Sequence, residues 1–216
     1  MKLSSFIYFA NFGIKTILFK KKEPILGTII VTDKCNLKCK HCSVNNVTAI
    51  IHPYSQIRKE MQQLYDMGIR ILFFCGGETF LWKDGTRCLR DLVIEAKEMG
   101  FLIVNVVTNG TFPLDLPEAD LILLSIDGDR EHHNAIRGNT YDIIMENIKN
   151  ATFDNICFYM AINQINKIRC KMFVLPHAIL KMSVRFLLTF IHRILIQKNW
   201  LFPKKKKQTA VKSLKK

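Results

Sequence analysis

The chain has 216 residues, 49% of them hydrophobic and 23% charged, and this balance excludes collagen-like, low-complexity and wholly disordered proteins. Lysine and arginine number 32 against 18 aspartates and glutamates, which gives a net charge of +14. Every acidic residue lies at or before Asp154. We therefore predict three segments: a helical and basic N-terminal segment over residues 1–23, a folded core over 24–167 and an acid-free basic tail over 168–216.

The N-terminal segment begins with an apolar run up to Ile14, and three lysines follow at residues 20–22. The run is too short to span a bilayer and lacks a cleavage site, so a packing or peripheral helix is favoured over a signal peptide. Charged residues interrupt the later apolar stretch at residues 172–202, so no transmembrane helix is predicted. The seven cysteines include a tight cluster of three, which favours a reducing, cytoplasmic location over a disulfide framework.

Apolar strands and amphipathic helices alternate from residue 23 onwards. In chain order we predict a strand over 25–31, a helix that Ser55 caps and Gly68 ends, a strand over 69–74, a helix that ends at Gly100, strands over 101–107 and 119–126, a helix over 141–148 and a fifth strand over 156–162. This alternation predicts a parallel sheet covered by helices. Functional sites in such sheets lie beyond the C-terminal ends of the strands.

The loop after the first strand contains Cys35, Cys39 and Cys42 in a C-x3-C-x2-C pattern. Structural zinc sites normally need four ligands, and His41 stands between two cysteines rather than at the spacing of a fourth ligand. Three cysteines on a [4Fe–4S] cluster leave one iron open for a substrate or cofactor. The lysines of the same loop are expected to favour the thiolate forms.

This loop resembles the signature of the radical SAM (S-adenosylmethionine) superfamily, and three later segments strengthen the resemblance. Gly76-Gly77-Glu78 resembles the family's G-G-E segment, with Thr79 in place of the usual proline, and residues 108–110 resemble its T-N-G segment. Residues 125–128 (S-I-D-G) and 133–138 (H-N-A-I-R-G) are similar to motifs of the SPASM-type, peptide-modifying branch. The resemblance covers about residues 24–165.

The resemblance implies an α/β fold with a partial (β/α) barrel, and the loss of the family pattern after about residue 165 predicts that this barrel is incomplete after the fifth strand. It also implies a [4Fe–4S] cluster on the three clustered cysteines and S-adenosylmethionine as the second cofactor. Two glycines would let the backbone approach this ligand closely. The residues implied to bind S-adenosylmethionine are His41, Gly76, Gly77, Glu78, Ser125, Asp127 and Arg137. For Asp127, capping of the following turn is an equal alternative.

The implied activity is reductive cleavage of S-adenosylmethionine to a 5′-deoxyadenosyl radical, for peptide or protein modification or for cofactor maturation. A flavodoxin- or ferredoxin-type protein would supply the electron. The alternative functions are a truncated, catalytically incompetent remnant that binds a cluster, or a basic tail module that binds acidic membrane or nucleic acid.

The family pattern stops at about residue 165, and two interpretations of the tail remain. It is either a purposeful basic tail, the only segment expected to contact membrane or nucleic acid, or the product of a shifted reading frame near residues 165–170. The shifted frame is favoured because it explains both the missing acids and the missing pattern.

Overall fold

The computed structural model describes residues 3–21, 23–43, 48–152, 155–162 and 165–166. The helices in these residues are α1 (Leu3–Leu18), α2 (Tyr54–Asp66), α3 (Leu89–Met99), α4 (Arg130–Arg137) and α5 (Tyr141–Lys149). The strands are β1 (Leu26–Thr32), β2 (Ile71–Gly76), β3 (Lys83–Asp84), β4 (Arg87–Cys88), β5 (Ile103–Thr108), β6 (Leu121–Ser125) and β7 (Ile156–Tyr159). The tail predicted over 168–216 lies outside the described residues.

Five of the strands form one parallel sheet in the order β1-β2-β5-β6-β7. Phe73 of β2 pairs with Thr28 of β1 and Asn105 of β5, and Leu123 of β6 pairs with Cys157 of β7. The parallel α/β sheet predicted from the sequence is therefore confirmed. Within the described residues β1 and β7 are the two edges, so the described part of the barrel is open after its fifth strand, as predicted.

Three strands, β2, β5 and β6, begin two residues later than predicted. In β2 and β5 the reason is that the first apolar residues of the run close a helix instead. The Ile69 N–H donates to the Leu64 carbonyl at 3.1 Å, and the Phe101 N–H donates to the Ala96 carbonyl at 3.1 Å. In both turns the preceding glycine, Gly68 or Gly100, has a positive φ. This arrangement satisfies carbonyls at the helix end while the following apolar residue packs on the helix.

The prediction that Ser55 caps α2 is wrong. The helix begins at Tyr54, and its N-cap, Pro53, offers no side-chain hydrogen bond. The Tyr54 N–H instead donates to Asp84 Oδ2 at 2.7 Å, so a residue of the β3–β4 hairpin satisfies the helix start. The sequence reading missed this hairpin, whose two strands are only two residues long.

The hydrophobic core lies between the sheet and helices α2 and α3. The two helices contribute six buried residues to it, namely Ile57, Met61, Leu89, Leu92, Val93 and Ala96. They pack with strand residues such as Leu72, Phe74, Val104 and Val106. Each fully buried side chain of this size contributes about 1.5–3 kcal/mol, so the sheet is a firm base for the loops at its edge. Among the described residues, no helix is long and apolar enough to cross a lipid bilayer.

Candidate functional site

The segments singled out in the sequence meet at one edge of the sheet. The cysteine loop follows β1, the Gly-Gly-Glu segment ends β2, Thr108 and Asn109 end β5, and Ser125 ends β6. Because these four strands are adjacent and parallel, their C-terminal ends deliver all four segments to the same place. Ser125 is buried there and pairs in register with Tyr159 of β7.

The two glycines let the cysteine loop pass close to the end of β2. The Gly77 N–H donates to the Thr32 carbonyl at 2.7 Å, and a Cβ on Gly77 would lie 2.4 Å from the Lys34 carbonyl oxygen. A Cβ on Gly76 would lie 2.1 Å from the Thr32 carbonyl oxygen. The space that a side chain would fill is therefore occupied by the backbone of the cysteine loop rather than left open for a ligand.

Glu78 is fully buried, and its carboxylate is enclosed by donors from its own chain. One oxygen accepts from the Thr108 hydroxyl at 2.7 Å and the Phe80 N–H at 3.1 Å, and the other accepts from the Asn109 N–H at 2.7 Å. Burial raises the pKa of Glu78, and these hydrogen bonds oppose the rise. In this arrangement the carboxylate fastens the β2 loop to the β5 loop.

Asn109, positioned in this way, reaches the first cysteine. Its Nδ2 lies 3.8 Å from Cys35 Sγ and 2.9 Å from Asn36 Oδ1, within hydrogen-bonding distance of both. Its Oδ1 accepts from the Thr111 N–H at 3.0 Å, which fixes the direction of the amide. The sequence reading assigned no role to Asn109, although its place in the T-N-G segment after a buried strand was a usable signal.

A second buried carboxylate, that of Asp127, positions a donor beside the second cysteine, Cys39. Asp127 Oδ2 accepts from Arg137 Nε at 2.6 Å, and Arg137 Nη1 lies 3.9 Å from Cys39 Sγ. Asp127 Oδ1 accepts from the Ala161 N–H at 3.1 Å, and His41 Nε2 lies 3.7 Å from Asp127 Oδ2. The structure thus brings Asp127, Arg137, His41 and Cys39 together, with the Asp127 side chain fully buried behind Arg137.

Helix α4, which the sequence reading did not predict as a helix, carries Arg137 into this position. Its N-cap Asp129 accepts from the His132 N–H at 3.1 Å. The Lys40 N–H donates to the Ile136 carbonyl at 2.9 Å and so joins the cysteine loop to the end of the helix. Two residues could have revealed α4 in the sequence. Asp129 is a typical N-cap residue, and Gly138, directly after the eight residues of the helix, is a typical residue at a helix end.

His133 fixes α4 to the end of β6. Its Nδ1 accepts from the Asp127 N–H at 3.2 Å, which leaves Nε2 to donate to Thr140 Oγ1 at 3.0 Å. A backbone N–H can only donate, so the ring is held in its neutral form. Burial, and secondarily the charge of Arg137, lower the pKa of His133 to about 4.

This histidine is expected to make the fold sensitive to acid. Unfolded His133 takes up a proton near pH 6.5 but the folded residue does so only near 4, so its contribution is present above pH 6.5 and is lost as the pH falls through 4. Between pH 7 and 4.5, urea unfolding should show the wild type losing about 2 kcal/mol more than His133→Gln. Equal losses in the two proteins would contradict this prediction.

The thiols themselves differ from expectation in one respect. Burial raises the pKa of Cys35 and of Cys39, and Arg137 is the main cation that opposes the rise at Cys39. The lysines of the loop are exposed, so water screens their charges. Contrary to the prediction, they do not dominate the pKa of these thiols. A metal that binds these sulfurs would therefore itself cause the thiols to lose their protons, as is usual for thiolate ligands.

Three cysteines with N–H donors beside two of their sulfurs are a donor set that fits an iron–sulfur cluster. Among the described residues, no three histidine, cysteine or acidic side chains converge as they would around one metal ion. In a [4Fe–4S] cluster each cysteine binds a different iron, so the thiolates need not meet at one point. Donors aimed at two of the sulfurs, Asn109 and Arg137, are the outer contacts that such clusters use.

The fold and the residues at this edge define a class of protein. It is an α/β protein with an open parallel sheet and with three cysteines, whose sulfurs are soft metal ligands, at the C-terminal ends of the strands. The sequence model of the Radical SAM superfamily matches residues 29–161, more than half of the chain, and the chain belongs to this superfamily. Its members bind a [4Fe–4S] cluster and S-adenosylmethionine. The family and the cofactors predicted from the sequence are thereby confirmed.

Relatives with a stated role come from several kinds of biosynthesis. A 7,8-dihydro-6-hydroxymethylpterin dimethyltransferase of Methanocaldococcus jannaschii is 32% identical over 154 residues, which are 63% of this chain and 30% of that protein. The antilisterial bacteriocin subtilosin biosynthesis protein AlbA of Bacillus subtilis is 33% identical over 90 residues, 41% of this chain and 19% of that protein.

The fold is also similar to that of SuiB from Streptococcus suis, whose crystal structure contains S-adenosylmethionine. The TM-score is 0.58 at 17% identity, and the match covers 84% of this chain and 48% of SuiB. The chain thus spans less than a third of either curated relative and about half of SuiB.

Proposed function

We propose that this chain is the cofactor-binding part of a radical SAM enzyme that cleaves S-adenosylmethionine reductively. One observation carries the proposal: two cysteine sulfurs each face an N–H donor, and each donor is fixed by a buried carboxylate. Glu78 holds Asn109 against Cys35, and Asp127 holds Arg137 against Cys39. Burying two carboxylates is costly, and a thiol loop with no ligand to hold would not need them.

In this proposal Cys35, Cys39 and Cys42 are the cluster ligands. Hydrogen bonds from Asn109 and Arg137 would stabilise negative charge on two of the sulfurs and raise the reduction potential of the cluster. The chemistry that the bound cluster and S-adenosylmethionine supply is one-electron cleavage of the sulfonium, which yields a 5′-deoxyadenosyl radical. The chain contributes position, charge and exclusion of water.

The roles proposed for the other residues divide into two kinds. Gly76, Gly77 and Glu78 act as positioning residues, because their contacts hold the cysteine loop and Asn109. Asp127 likewise positions Arg137. The residues left to contact S-adenosylmethionine directly are His41, Ser125 and Arg137, and the planar guanidinium of Arg137 suits a carboxylate.

For the substrate we propose a peptide or protein, and a flavodoxin- or ferredoxin-type protein as the electron donor. Support comes from AlbA, which is named for bacteriocin biosynthesis, and from a structure of SuiB bound to its precursor peptide SuiA. Maturation of a cofactor is the second candidate, and the pterin dimethyltransferase relative favours it. A reducing, cytoplasmic setting suits an oxygen-sensitive cluster.

The test is anaerobic reconstitution of the full chain with iron and sulfide, followed by reduction in the presence of S-adenosylmethionine. We expect about four irons per chain and release of 5′-deoxyadenosine, measured by chromatography. Cys42→Ala is the matched control, because it removes one proposed ligand from the exposed part of the loop, and it should release none. A full cluster without any 5′-deoxyadenosine would instead support the catalytically incompetent remnant.

A further inference from the structure

Helix α1 has one face that packs on the rest of the domain. Ser5 is buried, and the Tyr8 hydroxyl donates to the Gly68 carbonyl at 2.7 Å. The Arg70 guanidinium lies over the Tyr8 ring, 5.9 Å from its centroid. Gly68 and Arg70 come just before β2, so α1 docks at the N-terminal ends of the strands, away from the cysteine edge.

The opposite face of α1 is apolar and exposed. Its large side chains are 51–75% exposed, and they are Phe6, Ile7, Ile14, Ile17 and Leu18. At 100° per residue these positions fall within one continuous stripe, which we call the α1 stripe. Phe19, just beyond the helix, is 68% exposed and extends the same surface. A contiguous exposed apolar surface of this kind marks an interaction site.

The charge around the α1 stripe selects the kind of partner. Residues 1–23 contain one acidic residue, Glu23, which lies 4.0 Å from Lys21 Nζ, against five lysines, namely Lys2, Lys15, Lys20, Lys21 and Lys22. A second copy of the chain would bring two such segments together, and the basic tail over 168–216 would be repelled in the same way. An anionic lipid surface accepts both features, apolar side chains below the headgroups and lysines among them.

We propose that α1 is an interfacial anchor that lies in the plane of an anionic membrane, with the α1 stripe inserted and the lysines at its end among the headgroups. The helix docks through Ser5 and Tyr8 on the far side, so the domain is held above the membrane. The cysteine edge lies at the other ends of the strands and stays accessible. This proposal does not depend on the cofactors.

The test is co-sedimentation of the full chain, without cofactors, with vesicles of phosphatidylcholine alone or with about 30% phosphatidylserine. We expect at least about tenfold tighter binding to the anionic vesicles, weakened by raising the salt from about 50 to 500 mM. Ile14→Glu/Ile17→Glu should abolish binding. Ile94→Glu/Ile143→Glu, which places the same two charges at exposed isoleucines of α3 and α5, should bind as the wild type does.

A fluorescence measurement separates insertion from simple charge attraction. The variant Ile17→Trp places a tryptophan at the most exposed position of the stripe. The fluorescence emission of this tryptophan should shift to shorter wavelength with anionic vesicles only. Two outcomes overturn the proposal. One is undiminished binding of Ile14→Glu/Ile17→Glu, which would assign the contact to the basic tail. The other is a wild-type protein that does not bind vesicles and is a dimer, while Ile14→Glu/Ile17→Glu is a monomer. That result would assign the stripe to self-association.

Discussion

Alanine in place of Cys35, Cys39 or Cys42, one at a time, is expected to abolish binding of the [4Fe–4S] cluster. Three thiolates with one open iron is already the smallest ligand set for this kind of site, and losing one leaves two irons without a protein ligand. After anaerobic reconstitution, iron should fall from about four per chain to the background of the untreated protein. The visible charge-transfer absorption of the cluster should disappear with it.

Cys88→Ser is the control for these three variants. Cys88 caps α3, where its N–H donates to Asp91 Oδ2 at 2.7 Å, and serine puts a capping oxygen in the place of the cysteine sulfur. Its iron content should equal that of the wild type. A loop variant that retained all of its iron would remove that cysteine from the ligand set, and circular dichroism should show that every variant is folded.

Gly77→Ala is expected to damage both the fold and the site. A Cβ there would lie 2.4 Å from the Lys34 carbonyl oxygen and 2.5 Å from that of Asp33, and both are backbone atoms that cannot rotate away. The loop must move, which breaks the 2.7 Å bond from the Gly77 N–H to the Thr32 carbonyl. We expect a loss of about 3 kcal/mol in the free energy of unfolding, measured in urea, and loss of most of the iron.

Gly13→Ala tests whether this effect belongs to the position rather than to the change of residue. Gly13 lies inside α1, and a Cβ there meets no atom within 4 Å. Alanine favours the helix by up to about 1 kcal/mol, so stability should be unchanged or slightly higher and the iron content unchanged. Wild-type stability and iron in Gly77→Ala would mean that the cysteine loop does not depend on the contact with the β2 loop.

The order of strands and helices could be predicted from the sequence because burial leaves a local pattern. The strand Ile71–Gly76 is an apolar run whose alternate residues Leu72 and Phe74 are fully buried, and a helix on such a sheet buries every third or fourth residue. The short hairpin and α4 lacked that pattern. The hairpin strands contain two residues each, and α4 buries only His133 and Ile136, so other contacts decide both elements.

The sequence by itself determined which residues reach the site edge, because strand order and parallel direction bring Cys35, Glu78 and Asp127 to the same ends of the sheet. Which residues lie beside the cysteine sulfurs and which lie behind was decided only by the tertiary structure. Asn109 and Cys35 are 74 residues apart, and Arg137 and Cys39 are 98 apart. Contacts over such separations depend on strand register, side-chain direction and burial, and none of these is expressed in the spacing of a motif. For that reason Glu78 and Asp127, which the motifs indicated as ligand contacts, lie buried behind the donors that face the cysteines.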